Sequence, residues 1–384
     1  MKLTLRILSL FICAILLVGC GAAPANQTTQ PTTDATEPKP EGIRNIIIII
    51  GDGTGDEQLE AGELASGTTF VFRDWQHTHA NTDSLHSDGS PGKLTDSAAG
   101  GTALATGQLT TNGKVGQGPN SNEPLKTILD YAKEQGKATA VVTTDTMYGA
   151  TPGAFSGHAA DRGETLTILY SQLESDIDLM CSDFDDETAA IKGNITGAGY
   201  DYCDFISKID KTKDSEKVYW QFDMAGANAT AKLEKVVPHA LEFLEKDADG
   251  FVMMIEQAHI DKYCHNNEIE GAQICANSLN NTVAAVLEWC EGKDDTAIII
   301  TADHETGGLS VSPDDIYTNK YISPSGNTLY YEWASTGHTQ TPVSVYFYGF
   351  EADLSSHYID DAKTLIKNTS VFDIMLELLQ NPIR

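Results

Sequence analysis

Ile46-Ile47-Ile48-Ile49-Ile50-Gly51-Asp52-Gly53 sets five consecutive isoleucines against a glycine-flanked turn. A strand with one face in water alternates apolar and polar residues. A short run that is apolar throughout therefore belongs inside a parallel sheet, with the turn at its carboxyl end. Similar apolar runs recur at 138–142, 218–222, 251–255, 297–300 and 343–348. Between several of them the period becomes helical. Leu125, Ile128, Leu129 and Ala132 share one face, with Pro124 near its start and Gly136 beyond its end. Leu233, Val236, Val237, Leu241 and Leu244 make a second, which Pro238 is expected to kink. Residues 268–289 and the set Val371, Ile374, Met375 and Leu378 make two more. Strands alternating with helices predict an α/β fold, a three-layer sandwich with a mostly parallel central sheet and helices on both faces.

The rest of the chain bounds the function. Its formal charge of −30 over 384 residues argues against specific nucleic-acid binding, which needs a basic stripe. A hydrophobic content of 41% argues equally against a disordered acidic polymer. Lys2 and Arg6 precede an apolar run over 7–18 that is too short for a comfortable membrane span and ends in Leu17-Val18-Gly19-Cys20. Residues 1–19 thus read as a signal peptide whose end resembles a bacterial lipobox, implying a lipid on Cys20. The protein is then expected to be exported and membrane-anchored, facing the periplasm or the cell exterior. Residues 20–41, rich in Ala, Thr, Pro and Gln, read as a flexible tether. Residues 42–384 read as a single catalytic domain with an insertion or lid around 309–337. Cys181, Cys203, Cys264, Cys275 and Cys290 remain; none has zinc-finger spacing, and Cys181 with Cys203, bracketing a loop-like stretch, is the expected disulfide.

Open parallel sheets bind ligands beyond the carboxyl ends of their strands, so the polar residues following each apolar run are the ones to inspect. Asp52 follows the first run, Glu256 follows 251–255, and Thr301, Asp303 and His304 follow 297–300. Any one of these acids is an ordinary turn or cap residue; three strands delivering them to one edge is the signal. Asp261 and His265 are four apart and share a face if that segment is helical, a spacing able to hold one ion. His338 precedes the 343–348 run. Ser97 opens a run of small residues, Ser97-Ala98-Ala99-Gly100-Gly101, that can wind into a helix packed closely on the sheet. Its hydroxyl then stands at the positive end of that helix, where an anion is held. Serine there is also a common N-cap with no chemical role.

Taken together these segments resemble the alkaline phosphatases, from about Ile43 to the C-terminus. Gly51-Asp52-Gly53, Asp96-Ser97-Ala98-Ala99, Ala150-Thr151-Pro152 with Arg162, and Glu256 through Asp261-Lys262 to His265 carry the resemblance in order. Thr301-Ala302-Asp303-His304 and Gly337-His338-Thr339 complete it. The resemblance implies hydrolysis of small phosphomonoesters through a phosphoserine on Ser97. One zinc would be held by Asp261, His265 and His338, and a second by Asp52, Asp303 and His304. A magnesium would share Asp52 with Thr151 and Glu256. Arg162 would grip two phosphoryl oxygens with Lys262 nearby, and a homodimer is compatible with the same resemblance. The chemistry agrees: serine is a weak nucleophile at neutral pH, and phosphoryl transfer depends on positioning and on neutralising charge.

Two departures stand out. Gly149 occupies a position, two before Thr151, where the family often has Asp or His, so the magnesium site loses a protein group; Asp145 is a candidate to reach in. Glu305 follows His304 where some members have a further histidine, and is a candidate to reach the first zinc site through water. His77 and His79 alternate as on a strand but lack an accompanying carboxylate motif. His86, His158, His239 and His357 read as structural or solvated, and His259 at most as a supporting residue. The competing readings are a metal-dependent phosphodiesterase of the same superfamily and a non-catalytic phosphate- or metal-binding lipoprotein. Diesterases tend to use Thr and to lack the arginine, whereas Ser97 with Arg162 favours monoesters.

Overall fold

A computed structural model describes residues 42–381; the signal segment, Cys20 and the tether lie outside them. Ten strands make the central sheet: β1 (Asn45–Gly51), β2 (Gln76–Ala80), β3 (Ala138–Thr143), β4 (Leu179–Asp183), β5 (Asp201–Cys203), β6 (Val218–Phe222), β7 (Phe251–Gln257), β8 (Thr296–Thr301), β9 (Val343–Tyr348) and β10 (Leu365–Ile366). Their order is β10-β2-β9-β8-β1-β7-β3-β4-β6-β5, and only β9 runs against the others.

The isoleucine run explains why β1 is central. Ile47 and Ile49 enter one core with Val236, Val237 and Leu241 of the Leu233–Leu244 helix and Leu279 and Val283 of Ile269–Trp289. Ile46, Ile48 and Ile50 enter the other with Leu104, Leu129, Val371 and Met375. Each isoleucine buried this completely contributes about 1.5–3 kcal/mol. Register does the rest: Thr301, Ile50, Glu256 and Thr143 lie side by side at the carboxyl ends of β8, β1, β7 and β3. The turns leaving those four strand ends converge on one edge of the sheet.

Two expectations are revised. The helix expected from Leu125 runs from Ile128 to Glu134, because Thr127 and Asp130 close a capping box that fixes its start. The Cys181–Cys203 disulfide is absent, and the five cysteines among the described residues are buried free thiols. Cys181 on β4 and Cys203 on β5 both pair with Trp220 of the intervening β6. Two strand spacings, roughly 9–10 Å, separate them, whereas a disulfide needs Cα atoms within ~7 Å.

Residues 309–337, expected as an insertion or lid, hold a three-stranded antiparallel sheet of Leu309–Ser312, Asn319–Ile322 and Thr328–Trp333. Leu309, Val311 and Leu329 pack on Ala61 and Ala65 of the Asp56–Ser66 helix and on Ile269. Among the described residues no helix is long and apolar enough to cross a membrane.

Candidate active site

Asp52 follows β1 directly, and the turn behind it requires glycine. Gly53 has φ +71°, and a Cβ there would stand 2.7 Å from the Cα and Cβ of Asp261. The same position thus bends the chain and lets the Asp261 segment approach, with Asp261 N–H donating to the Asp52 carbonyl at 3.0 Å. The small-residue run forms the helix Ser97–Thr106. A Cβ on Gly100 would meet the Asp303 carbonyl oxygen at 3.0 Å, and one on Gly101 would meet Ala154 Cβ at 3.2 Å. Small residues therefore let this helix settle against both the Asp303 turn and the Ala150–Ser156 helix. Asp96, not Ser97, is the N-cap, accepting from Ala99 N–H at 3.0 Å. The serine hydroxyl is left free for other use.

Ser97 Oγ lies 3.2 Å from His304 Nε2. The same nitrogen is 3.2 Å from Asp303 Oδ2 and 3.7 Å from Asp52 Oδ1. Asp303 Oδ1 accepts from the backbone of Gly53 and His304, whereas Asp303 Oδ2 and Asp52 Oδ1 are buried without a hydrogen-bond partner. Beside them Glu256 accepts from Thr143 Oγ1, and Thr151 Oγ1 is likewise buried and unpartnered. Burial pushes the Asp52 carboxyl well above its usual range, with the charges of Asp303, Asp261 and Glu256 adding to it. Burial and then Asp145 push Glu256 up to about 8, and burial and then Asp261 push Asp303 up to about 6. Burial drives His304 down to about 4, so its imidazole is neutral. Buried acceptors without donors in a nest of carboxylates are what a bound cation satisfies.

A second cluster stands on its outer side. Asp261 belongs to the His259–Cys264 helix and His265 caps it, which realises the expected four-residue spacing. His265 Nε2 is 3.3 Å from Asp261 Oδ1 and 3.1 Å from His338 Nε2, which is itself 3.7 Å from that carboxylate oxygen. Nδ1 of His265 donates to the Thr336 carbonyl at 2.6 Å, and Nδ1 of His338 to the Thr95 carbonyl at 2.9 Å. Both rings are thereby fixed with Nε2 turned inward, the second-sphere arrangement that orients metal-binding histidines. The hydrogen bond to Asp261 raises His265 to about 9. Burial works to raise Asp261, but the hydrogen bond and charge of His265 and the hydrogen bond from Thr306 overcome it and hold that carboxyl below its usual range. Ligand atoms of Asp261, His304 and His338 lie within 4.8 Å of one another, as do those of Asp52, Asp303 and His304. His304 faces both clusters.

Arg162 sits at the rim, half exposed, with Nη1 3.4 Å from Asp96 Oδ2. Lys262 Nζ is 2.5 Å from Asp145 Oδ1. Asp145 therefore reaches the site region, engaged with the lysine. Glu305 is occupied elsewhere, bonded to Gln58, Thr339 and Gly308, so the water-bridged role expected for it is not what its contacts support. His79 does have a carboxylate: Asp56 Oδ2, far away in sequence, lies 2.9 Å from its Nε2. His259 contacts Thr144 Oγ1 at 3.2 Å, on the outside of both clusters.

Sequence reasoning missed the hydroxyls. Thr306 Oγ1 donates to Asp261 Oδ1 at 2.5 Å and lies 3.2 Å from His304 Nδ1, joining the two clusters. Thr143 ties Glu256. Both are near the motif residues in the chain, and threonines at strand ends carry no distinguishing signal of their own.

The family profile of the alkaline phosphatases matches residues 43–190 and 215–328, which is most of the described chain. The chain belongs to the alkaline phosphatase family. Alkaline phosphatase 4 of Bacillus subtilis (strain 168) is 29% identical over 329 residues, covering 80% of this chain and 70% of that one. Alkaline phosphatase 3 of the same organism is 30% identical over 311 residues, covering 75% and 67%. The crystal structure of a cold-active alkaline phosphatase from a psychrophilic Shewanella sp. superposes with a TM-score of 0.76 at 26% identity, covering 87% of this chain and 99% of that one. The protein is a phosphomonoester hydrolase by family, and its mostly parallel sheet flanked by helices is that of the alkaline phosphatases.

Proposed function

We propose that this alkaline phosphatase hydrolyses small phosphomonoesters through a phosphoserine formed on Ser97, at a site that holds two zinc ions and one magnesium ion. The observation that carries the reading is the seat of Ser97: a hydroxyl not used for helix capping, hydrogen-bonded to His304 Nε2 at 3.2 Å, among buried carboxylate oxygens that have no partner. The donor set suits these ions. His265, His338 and Asp261 would hold one zinc; Asp52, Asp303 and His304 the other. Asp52, Glu256 and Thr151 offer the all-oxygen set that magnesium prefers. When bound, such ions lower the pKa of a coordinated hydroxyl and neutralise charge on the attacking and leaving oxygens.

The chain's own residues supply the rest. The Ser97–Thr106 helix presents its free N–H groups and positive end where the phosphoryl oxygens gather. His304, kept neutral by burial, faces Ser97 Oγ with Nε2 and holds it toward the pocket. The guanidinium of Arg162 leaves Asp96 to form two parallel hydrogen bonds to the phosphoryl group, a geometry that lysine cannot match. Ser97 Oγ attacks phosphorus as the alcohol departs, and water then cleaves the phosphoserine to release phosphate and restore the hydroxyl. Lys262 adds positive charge at the mouth.

Residues 42–384 are proposed as one catalytic domain, tethered by 20–41 to a lipid on Cys20 after export, with homodimerisation open. The test is hydrolysis of a nitrophenyl phosphate monoester against bis-nitrophenyl phosphate, before and after chelation and metal return. Chelator-reversible monoester hydrolysis is expected; a preference for the diester would overturn the assignment in favour of a phosphodiesterase.

A further inference from the structure

We propose that Asn267 is a positioning residue of the outer cluster: its side chain fixes the Thr336 carbonyl against His265 Nδ1 and so aims Nε2 of that ring at the ion. This rests on the two-zinc reading above. His265 is the donor that packing holds least. Its side chain is 39% exposed, against 14% or less for Asp52, Asp261, Asp303, His304 and His338. The ring is therefore oriented by the 2.6 Å hydrogen bond from Nδ1 to the Thr336 carbonyl. Thr336 is itself exposed, so its carbonyl is only as steady as the turn that carries it.

That turn is fastened on two sides. Ser335 N–H donates to the Gly307 carbonyl and Gly307 N–H to the Gly337 carbonyl, both at 2.9 Å, which ties the turn to the segment after His304. Asn267 ties it to the helix that His265 caps. The nitrogen of its side-chain amide donates to the Ser335 carbonyl at 2.8 Å and to the Cys264 carbonyl at 3.1 Å. One hydrogen serves each carbonyl, a pairing that an amide nitrogen can make and a carboxylate cannot. Asn267 also has φ +55°, in the left-handed region that suits glycine and that asparagine tolerates better than other side chains. The backbone alone would accept glycine here. The two carbonyls call for the amide.

Asn267→Gly keeps the turn and removes both hydrogen bonds, so it isolates the amide from the backbone. The experiment withdraws zinc from the holoenzyme with a graded chromophoric chelator and reads each ion released. Asn267→Gly should give up one of its two zinc ions at about tenfold lower chelator than wild type, the lower end of the effect of removing a group that supports a metal ligand. The other ion should be retained as in wild type. In a His265→Ala background, adding Asn267→Gly should leave the affinity for the remaining zinc unchanged, because the amide acts through that ring. Wild-type retention of both ions in Asn267→Gly overturns the proposal. So does equal weakening of both ions, the mark of a general loosening, and so does a further loss of zinc affinity in the His265→Ala background. A wild-type protein that takes up no zinc would instead sink the two-zinc reading itself.

Discussion

The two clusters that meet at His304 use the same residue types and differ in how far they balance their own charge. Around Ser97 four buried groups are driven toward their neutral forms: Asp52, Glu256 and Asp303 upward, His304 downward, all by burial first. Around His265 the opposite holds. Asp261 is pushed down and His265 up to about 9, so the outer cluster makes its own ion pair between a buried carboxylate and a partly exposed imidazole. Donors are the difference: Asp261 is buried too, but it accepts from His265 and Thr306, whereas Asp52 Oδ1 and Asp303 Oδ2 have no donor. Without cations, charging the acids of the inner cluster at alkaline pH costs stability. The outer one merely exchanges a proton for a cation.

The largest test of this contrast is Ser97→Ala. Turnover of nitrophenyl phosphate should fall by about 10³-fold or more, as when a nucleophile is removed from a catalytic unit. Both zinc ions should stay, measured by elemental analysis, because the Asp and His donors of each cluster are untouched. Loss of zinc along with activity would mean that the serine is mainly a ligand. Next in size is His265→Ala, which opens the outer cluster alone. Zinc content should drop by about one per chain and kcat by about 10²-fold, an effect at the upper end of those seen for groups supporting a metal site. Retention of both ions would make Asp261, His304 and His338 the real outer site.

Much of this arrangement is legible in the chain because it sits at strand ends. The isoleucine run marks β1, and the acids after β1, β7 and β8 fall at one edge because parallel register leaves no other place for them. The Asp261–His265 pair is readable from helical spacing. The contacts that escape such a reading lie between elements. Thr306 and the carbonyls of Thr95 and Thr336 orient three imidazoles through contacts that no local pattern encodes. The short strands Gln76–Ala80 and Asp201–Cys203 carry too few apolar residues to announce themselves, so nothing local reveals Trp220 between the two cysteines.

Metal removal should separate the clusters by pH. Glu256 and Asp303 have folded pKa values of about 8 and about 6, above their ordinary values of 4.5 and 3.8. A raised carboxyl favours the folded state below its unfolded pKa, and that advantage is lost as pH rises through the folded value. The metal-free protein should therefore lose stability between about pH 5 and pH 8. His265, also raised, loses its contribution over a higher window, from about pH 6.5 to about pH 9. In differential scanning calorimetry, chelation should lower Tm by about 3 degrees more at pH 8 than at pH 6, a difference of about 2 kcal/mol for a chain of this size. Equal shifts at the two pH values would show that the inner acids are already well solvated.

The smallest expected effect probes the link between clusters. Thr306 is fully buried, and its one hydroxyl proton goes to Asp261 while its lone pairs face Nδ1 of His304. His304 then donates from Nδ1, which leaves the Nε2 lone pair for the inner site. Thr306→Val keeps the shape and removes both bonds, stranding a buried imidazole N–H at a cost of about 1–3 kcal/mol. The ring is then free to take the other tautomer or rotate, so kcat/KM should fall about tenfold if that energy is felt in the transition state. Thr306→Ser, which restores the hydroxyl, should recover most of it. A valine variant with wild-type kcat/KM and Tm would mean that His304 is oriented from the inner side alone, and that the two clusters share a residue without being coupled through it.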